Sequence, residues 1–117
     1  MDVKAMIEKM SLEEKASYLS GRDFWHTDEV LDAGVSSFMM CDGPNGLRKQ
    51  IGKEDHLGIN ESIKTVCYPT SSAVAASFDI ELAHELGEHL GDECVRENVA
   101  MLLGPGLNMK RSPLGGR

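Results

Sequence analysis

Four consecutive apolar residues, Phe38-Met39-Met40-Cys41, run straight into Asp42. A run that does not alternate predicts a short strand buried on both faces. The turn dipeptides Gly43-Pro44 and Asn45-Gly46 end that strand at Asp42. A second such run, Ala100-Met101-Leu102-Leu103, is ended in the same way by Gly104-Pro105. Between them the apolar spacing changes to that of a helix. Asp79 caps a helix from Ile80 to about Asn98, with Ala83, Leu86, Leu90 and Cys94 as its apolar stripe. Leu82 and Val95 widen the stripe, and Glu81, Glu85, Glu88, Asp92 and Glu93 are expected to face water. Gly87 and Gly91 each cost this helix roughly 1 kcal/mol against Ala. The expected return is close approach of the helix to a sheet.

The flanking segments follow local rules. Val3, Met6, Ile7 and Met10 give one or two amphipathic turns. Ser11 with Glu14 forms a capping box for a second helix that stops at Gly21. Residues 20–34 are expected to be irregular, with Phe24-Trp25-His26-Thr27 packing under the turn or lining a pocket. Residues 49–66 are polar and predict a long surface loop. Thr70 or Ser71 caps a short helix through Ser72-Ala73-Val74-Ala75-Ala76, whose small apolar residues predict burial.

Strand, helix and strand in this order predict a parallel βαβ unit of the α/β class. Both turn-rich loops then leave the same carboxyl edge of the sheet, where such folds bind ligands. That edge would gather Asp42, Asn45 and Arg48 from the first loop. From the second it would gather Asn108, Lys110, Arg111 and Arg117. A carboxylate accepts hydroxyl hydrogens and a guanidinium donates in fixed geometry, which suits a sugar. The plainer alternative for Asp42 is a turn cap that bonds its own backbone.

Composition narrows the partners. The 117 residues carry 12 Lys+Arg against 19 Asp+Glu, a net charge of -7, which disfavours nucleic acid and anionic membrane. A hydrophobic content of 41% is enough for a core, and the length suits one small domain or part of a larger one. Cys41, Cys67 and Cys94 are odd in number and scattered, which fits a reducing compartment. With no transmembrane run and no apolar signal region after Met1, a cytoplasmic location is expected. His84, His89 and Cys94 are five apart, so neighbours point roughly 140° away from each other and no metal site is expected. Gly104-Pro105-Gly106 lacks a nucleotide fingerprint, no Ser-centred elbow is present, and no cofactor is expected. The loop-like ending Ser112-Pro113-Leu114-Gly115-Gly116-Arg117 suggests the front piece of a longer chain.

Several motifs, taken in order, resemble the N-terminal part of family 3 glycoside hydrolases, the β-glucosidase group. They are Leu12-Glu13-Glu14-Lys15 with Leu19-Ser20-Gly21, and Asp23-Phe24-Trp25-His26-Thr27. Asp42-Gly43-Pro44-Asn45-Gly46-Leu47-Arg48 and Tyr68-Pro69-Thr70-Ser71 follow, then Leu103-Gly104-Pro105 and Arg111 to Arg117. The resemblance implies an incomplete N-terminal portion of a (β/α)8 (TIM-type) barrel, truncated at residue 117, with an α/β sandwich domain after it in the whole enzyme. It implies retaining hydrolysis of terminal β-D-glucosyl residues. The family's counterpart of Asp42 binds sugar hydroxyls in the subsite left of the cleaved bond, and those of Arg48 and Arg117 hold the same sugar. Its nucleophile and acid/base come later in the chain, so no catalytic residue is expected here and the 117 residues alone should be inactive. The substrate implied is a small β-glucoside or oligosaccharide. A stand-alone α/β carbohydrate-binding module is the alternative.

Overall fold

The computed structural model describes residues 2–52 and 59–107. Asp2 accepts from the Ala5 amide and starts α1 (Val3–Lys9). At α2 (Leu12–Ser20) the expected capping box forms: Ser11 accepts from the Glu14 amide at 3.1 Å, and Glu14 accepts from the Ser11 amide at 2.7 Å. The chain leaves α2 at Gly21, whose φ of 78° suits a residue without Cβ. A single 3₁₀ turn, Leu31–Ala33, breaks the following loop.

The first strand, β1, is Met40–Asp42, and the second, β2, is Met101–Leu103. They pair in parallel with Met40 opposite Met101, Cys41 opposite Leu102 and Asp42 opposite Leu103. The α/β reading and the shared carboxyl edge therefore hold. Regular pairing begins two residues later than expected, at Met40 rather than Phe38. The reason lies upstream, where Thr27 donates its amide to the Phe38 carbonyl and accepts from the Phe38 amide through Oγ1. Residues 25–27 thus run antiparallel beside 38–40, and the His26–Met39 bridge gives this irregular loop a place in the sheet.

Both crossover helices are capped as their sequence requires. Thr70 accepts from the Ala73 amide at the start of α3 (Ser71–Ser77), and Asp79 from the Leu82 amide at the start of α4 (Ile80–Arg96). The main core joins Cys41, Leu47, Cys94 and Val99, with Met39, Ile63 and Leu102 packed against it. A second cluster of Met10, Val30 and Ala33 holds α1 and the 3₁₀ turn together. No helix among the described residues is long and apolar enough to cross a membrane.

Three expectations about the helices fail. α3 buries none of its residues among the described ones. Only Leu90 and Cys94 of the α4 stripe are buried, and Val95 is 77% exposed. Gly87 and Gly91 do not mark close approach to the sheet, since a Cβ on either meets nothing within 4 Å.

Close approach occurs instead at the strand ends. A Cβ on Gly43 would lie 2.8 Å from Leu102 Cδ1, and one on Gly104 2.7 Å from Pro44 Cβ. The Gly-Pro turns that end β1 and β2, each with a cis peptide bond, are therefore packed against one another. Gly46 is the other constrained position, with φ of 139° and a virtual Cβ 2.5 Å from the Val66 carbonyl oxygen. Gly52 has φ of 84° but open space around it. Gly46→Ala should therefore destabilise by about 1–3 kcal/mol, and Gly52→Ala by clearly less. Equal shifts of the urea midpoint in the two variants would show that the contact with Val66 contributes nothing.

Candidate functional site

The site is built on the first strand end. Alternation along β1 sends Cys41 into the core, 1% exposed, and leaves Asp42 half-exposed on the opposite side. Burial pushes the Cys41 thiol up to about 11, so it is protonated at neutral pH and is no nucleophile. The turn after Asp42 closes when the Arg48 amide donates to the Asp42 carbonyl at 3.0 Å. Leu47, 2% exposed, anchors that turn in the core, and Thr65 Oγ1 donates to its carbonyl at 2.7 Å. Next to Arg48, Lys49 Nζ donates to the Glu97 carbonyl at 2.7 Å and lies 3.6 Å from the Glu97 carboxylate. The backbone carrying Asp42 and Arg48 is thus fixed on both sides by groups that do not face the site.

This brings the two side chains together. Arg48 Nη1 is 3.8 Å from Asp42 Oδ2, with both side chains nearly half exposed. An ion pair so open and so long contributes little stability, at most about 1 kcal/mol. Among the described residues the Asp42 carboxylate accepts no hydrogen bond from the turn backbone, so it is not the turn cap of the plainer reading. The Asp42 carboxylate and the Arg48 guanidinium thus stand side by side at the sheet's carboxyl edge.

Asn45 has a different duty. Its carbonyl accepts from the Tyr68 amide at 2.9 Å, and its Oδ1 accepts from Ser71 Oγ at 3.4 Å. It therefore staples the first loop to the start of α3. Asn108, Lys110, Arg111 and Arg117 lie outside the described residues. On α4, His84 lies 3.7 Å from Glu88, His89 lies 3.8 Å from Glu85, and Cys94 is buried.

Sequence reasoning missed Glu93. It was expected to face water, yet it turns inward and accepts from Tyr68 OH at 3.3 Å. Its other oxygen is buried without a partner among the described residues. Burial, followed by the Glu93 charge and hydrogen bond, raises the Tyr68 phenol above its usual range. Glu93 stands one position before Cys94 on the inward side of α4, a signal that a charge-based reading of the helix face passes over. Trp25, expected to pack or to line a pocket, is half-buried, with its indole Nε1 unpartnered among the described residues.

No family model matches the chain. Individual relatives do. Thermostable beta-glucosidase B of Acetivibrio thermocellus is 51% identical over all 117 residues, which make up 16% of that protein. Exo-alpha-(1->6)-L-arabinopyranosidase of Bifidobacterium longum is 43% identical over 95% of the chain, 15% of its own length. The fold agrees as well. A beta-glucosidase of Kluyveromyces marxianus solved with glucose superposes over the whole chain and 13% of its own, with a TM-score of 0.84 at 34% identity. The GH3 beta-glucosidase of Bifidobacterium adolescentis covers 95% of the chain and 15% of its own, with a TM-score of 0.76 at 42% identity.

The chain matches family 3 glycoside hydrolases along its whole length. It spans about one-sixth of the curated relatives it matches. Since the Asp42 carboxylate supports no turn hydrogen bond, Asp42→Asn should change stability by no more than about 0.5 kcal/mol. A loss of about 1 kcal/mol or more in urea unfolding would restore the turn-cap assignment.

Proposed function

We propose that this segment belongs to a longer β-glucosidase-type glycoside hydrolase and supplies groups that hold the sugar left of the cleaved bond. The observation that carries this reading is the Asp42–Arg48 pair at the carboxyl end of β1, beside the turn that ends β2. In a (β/α)8 barrel the carboxyl ends of the strands carry the active site, and the order β1–α3–α4–β2 is compatible with one such repeat with a doubled helix. A carboxylate and a guanidinium standing side by side suit a ligand rich in hydroxyls. Asp42 accepts hydroxyl hydrogens, and Arg48 donates to a hydroxyl oxygen of the same sugar. Arg117 is proposed as a third holder of that sugar, through its match to the family motif.

Retaining hydrolysis needs an acid and a nucleophile about 5 Å apart across the glycosidic bond. Asp42 has a guanidinium rather than a second carboxyl beside it, so its role is binding and orientation. The nucleophile and the acid/base would come from polypeptide outside these residues. The sugar is a terminal β-glucosyl unit or a pyranose of similar hydroxyl pattern, as the named relatives include β-glucosidases and an arabinopyranosidase.

Asp42→Ala in the complete enzyme should lower kcat/KM by roughly two to four decades, from two charge-assisted bonds of about 1.5–3 kcal/mol each. Part of the loss should fall on kcat, because these bonds also orient the reacting ring. Steady-state kinetics and a melting curve on one preparation check this; near-normal turnover by a variant that melts early would remove Asp42 from the site. The purified 117-residue chain should not hydrolyse an aryl β-glucoside, and turnover abolished by Asp42→Ala would contradict the division of labour.

A further inference from the structure

The turn between Asp42 and Arg48 rests on an extended strip, residues 65–68, that is itself neither helix nor strand. Thr65 Oγ1 donates to the Leu47 carbonyl, the Val66 carbonyl stands against Gly46, and the Tyr68 amide donates to the Asn45 carbonyl. The strip holds the turn only if something holds the strip. That support comes from α4. Tyr68 OH donates to Glu93 Oε1 at 3.3 Å, and burial beside that carboxylate raises the phenol's ionisation further above neutral pH, so it stays a donor. Four residues on, Glu97 meets Lys49 Nζ through its carbonyl and, at 3.6 Å, through its carboxylate. Residues four apart lie on one side of a helix, and the Glu97 amide donates to the Glu93 carbonyl as in a regular turn. Two acids on one side of α4 therefore grip the turn from behind, one before Leu47 and one after it.

We propose that Glu93, acting through Tyr68, is a positioning residue for the sugar-binding turn. This role rests on the reading that Asp42 and Arg48 hold the sugar, and it adds the residues that set where those two side chains stand. Stability alone is a poor reason for Glu93 to face inward. Its second oxygen is buried without a partner among the described residues, and an unsatisfied buried acceptor destabilises a fold. Glu88 and Asp92 of the same helix stay exposed and avoid that cost. What the inward carboxylate gains is a fixed strip and, through the Tyr68 amide, a fixed Asn45. Asn45 lies between Asp42 and Arg48, so a strip that drops away changes the separation of carboxylate and guanidinium. Orientation of a reacting sugar is exacting, and a displacement of about 1 Å costs on the order of a hundredfold in rate.

A double-mutant cycle in the complete protein, read as kcat/KM on an aryl β-glucoside, tests this role. Tyr68→Phe keeps the ring and the amide bond to Asn45 and deletes only the hydroxyl. It should lower kcat/KM roughly tenfold while leaving Tm within about 2 °C of the unmutated protein. Glu93→Ala should lose at least as much, and Glu93→Gln, whose amide oxygen still accepts, should recover most of it. In an Asp42→Ala background, Tyr68→Phe should cost no more than about twofold, because the group it positions is gone. A Tyr68→Phe enzyme within about twofold of the unmutated one overturns the proposal, as does a Glu93→Gln variant as slow as Glu93→Ala. Losses that multiply in the double variant also overturn it, since a staple that serves only the fold is blind to Asp42. The two readings fail separately. Asp42→Ala at unchanged kcat/KM overturns the sugar-holding reading and the positioning role with it. A slow Asp42→Ala whose loss multiplies with that of Tyr68→Phe leaves the sugar-holding reading standing and removes Glu93 alone.

Discussion

The parallel pairing of β1 with β2, with their Gly-Pro turns packed together, is the constraint on which everything else in this chain depends. Each strand is three residues long, so the ladder alone is short. Cys41 and Leu102 add to it by packing together beneath the ladder, and Cys94 and Val99 cover them from α4 and the turn after it. The turns can then approach only because Gly43 and Gly104 have no side chain to collide with Leu102 and Pro44. One consequence is chemical. Asp42, opposite Leu103 at the end of the ladder, is carried on the same rigid edge from which the second loop departs.

A second layer fixes the backbone of Arg48 against that edge. The buried Leu47 side chain, the Lys49 link to Glu97 and the Asn45 staple to Tyr68 and Ser71 hold the turn from behind. Preorganisation of this kind matters for binding a flexible, hydroxyl-rich ligand, because the ordering cost is met during folding. The Asp42–Arg48 ion pair itself contributes little to stability at its exposure.

Much of this was legible in the residues because it depends on local chemistry. The capping box at Ser11 and Glu14, the Thr70 and Asp79 caps, and the Gly-Pro strand ends are each decided within a few positions. The parallel order follows from two unalternating apolar runs separated by a long helix. What could not be read was burial decided by distant partners. α3 has a core-like composition and lies exposed, Val95 extends an apolar stripe into open space, and Glu93 leaves an acidic face to meet Tyr68. Gly87 and Gly91 belong to the same class. Their spacing announced close approach to the sheet, yet a Cβ on either meets nothing within 4 Å among the described residues. The duty of Asn45 was hidden for a related reason, since its partners lie more than twenty residues along the chain.

The central claim is that Asp42 and Arg48 hold the sugar from one strand end. The most direct measurement is a crystal structure of the complete protein with glucose bound. The account predicts one pyranose with two of its hydroxyls within about 2.5–3.2 Å of the Asp42 carboxylate and a third within reach of the Arg48 guanidinium. Glucose bound elsewhere, with Asp42 contacting only solvent or its own turn, would contradict it.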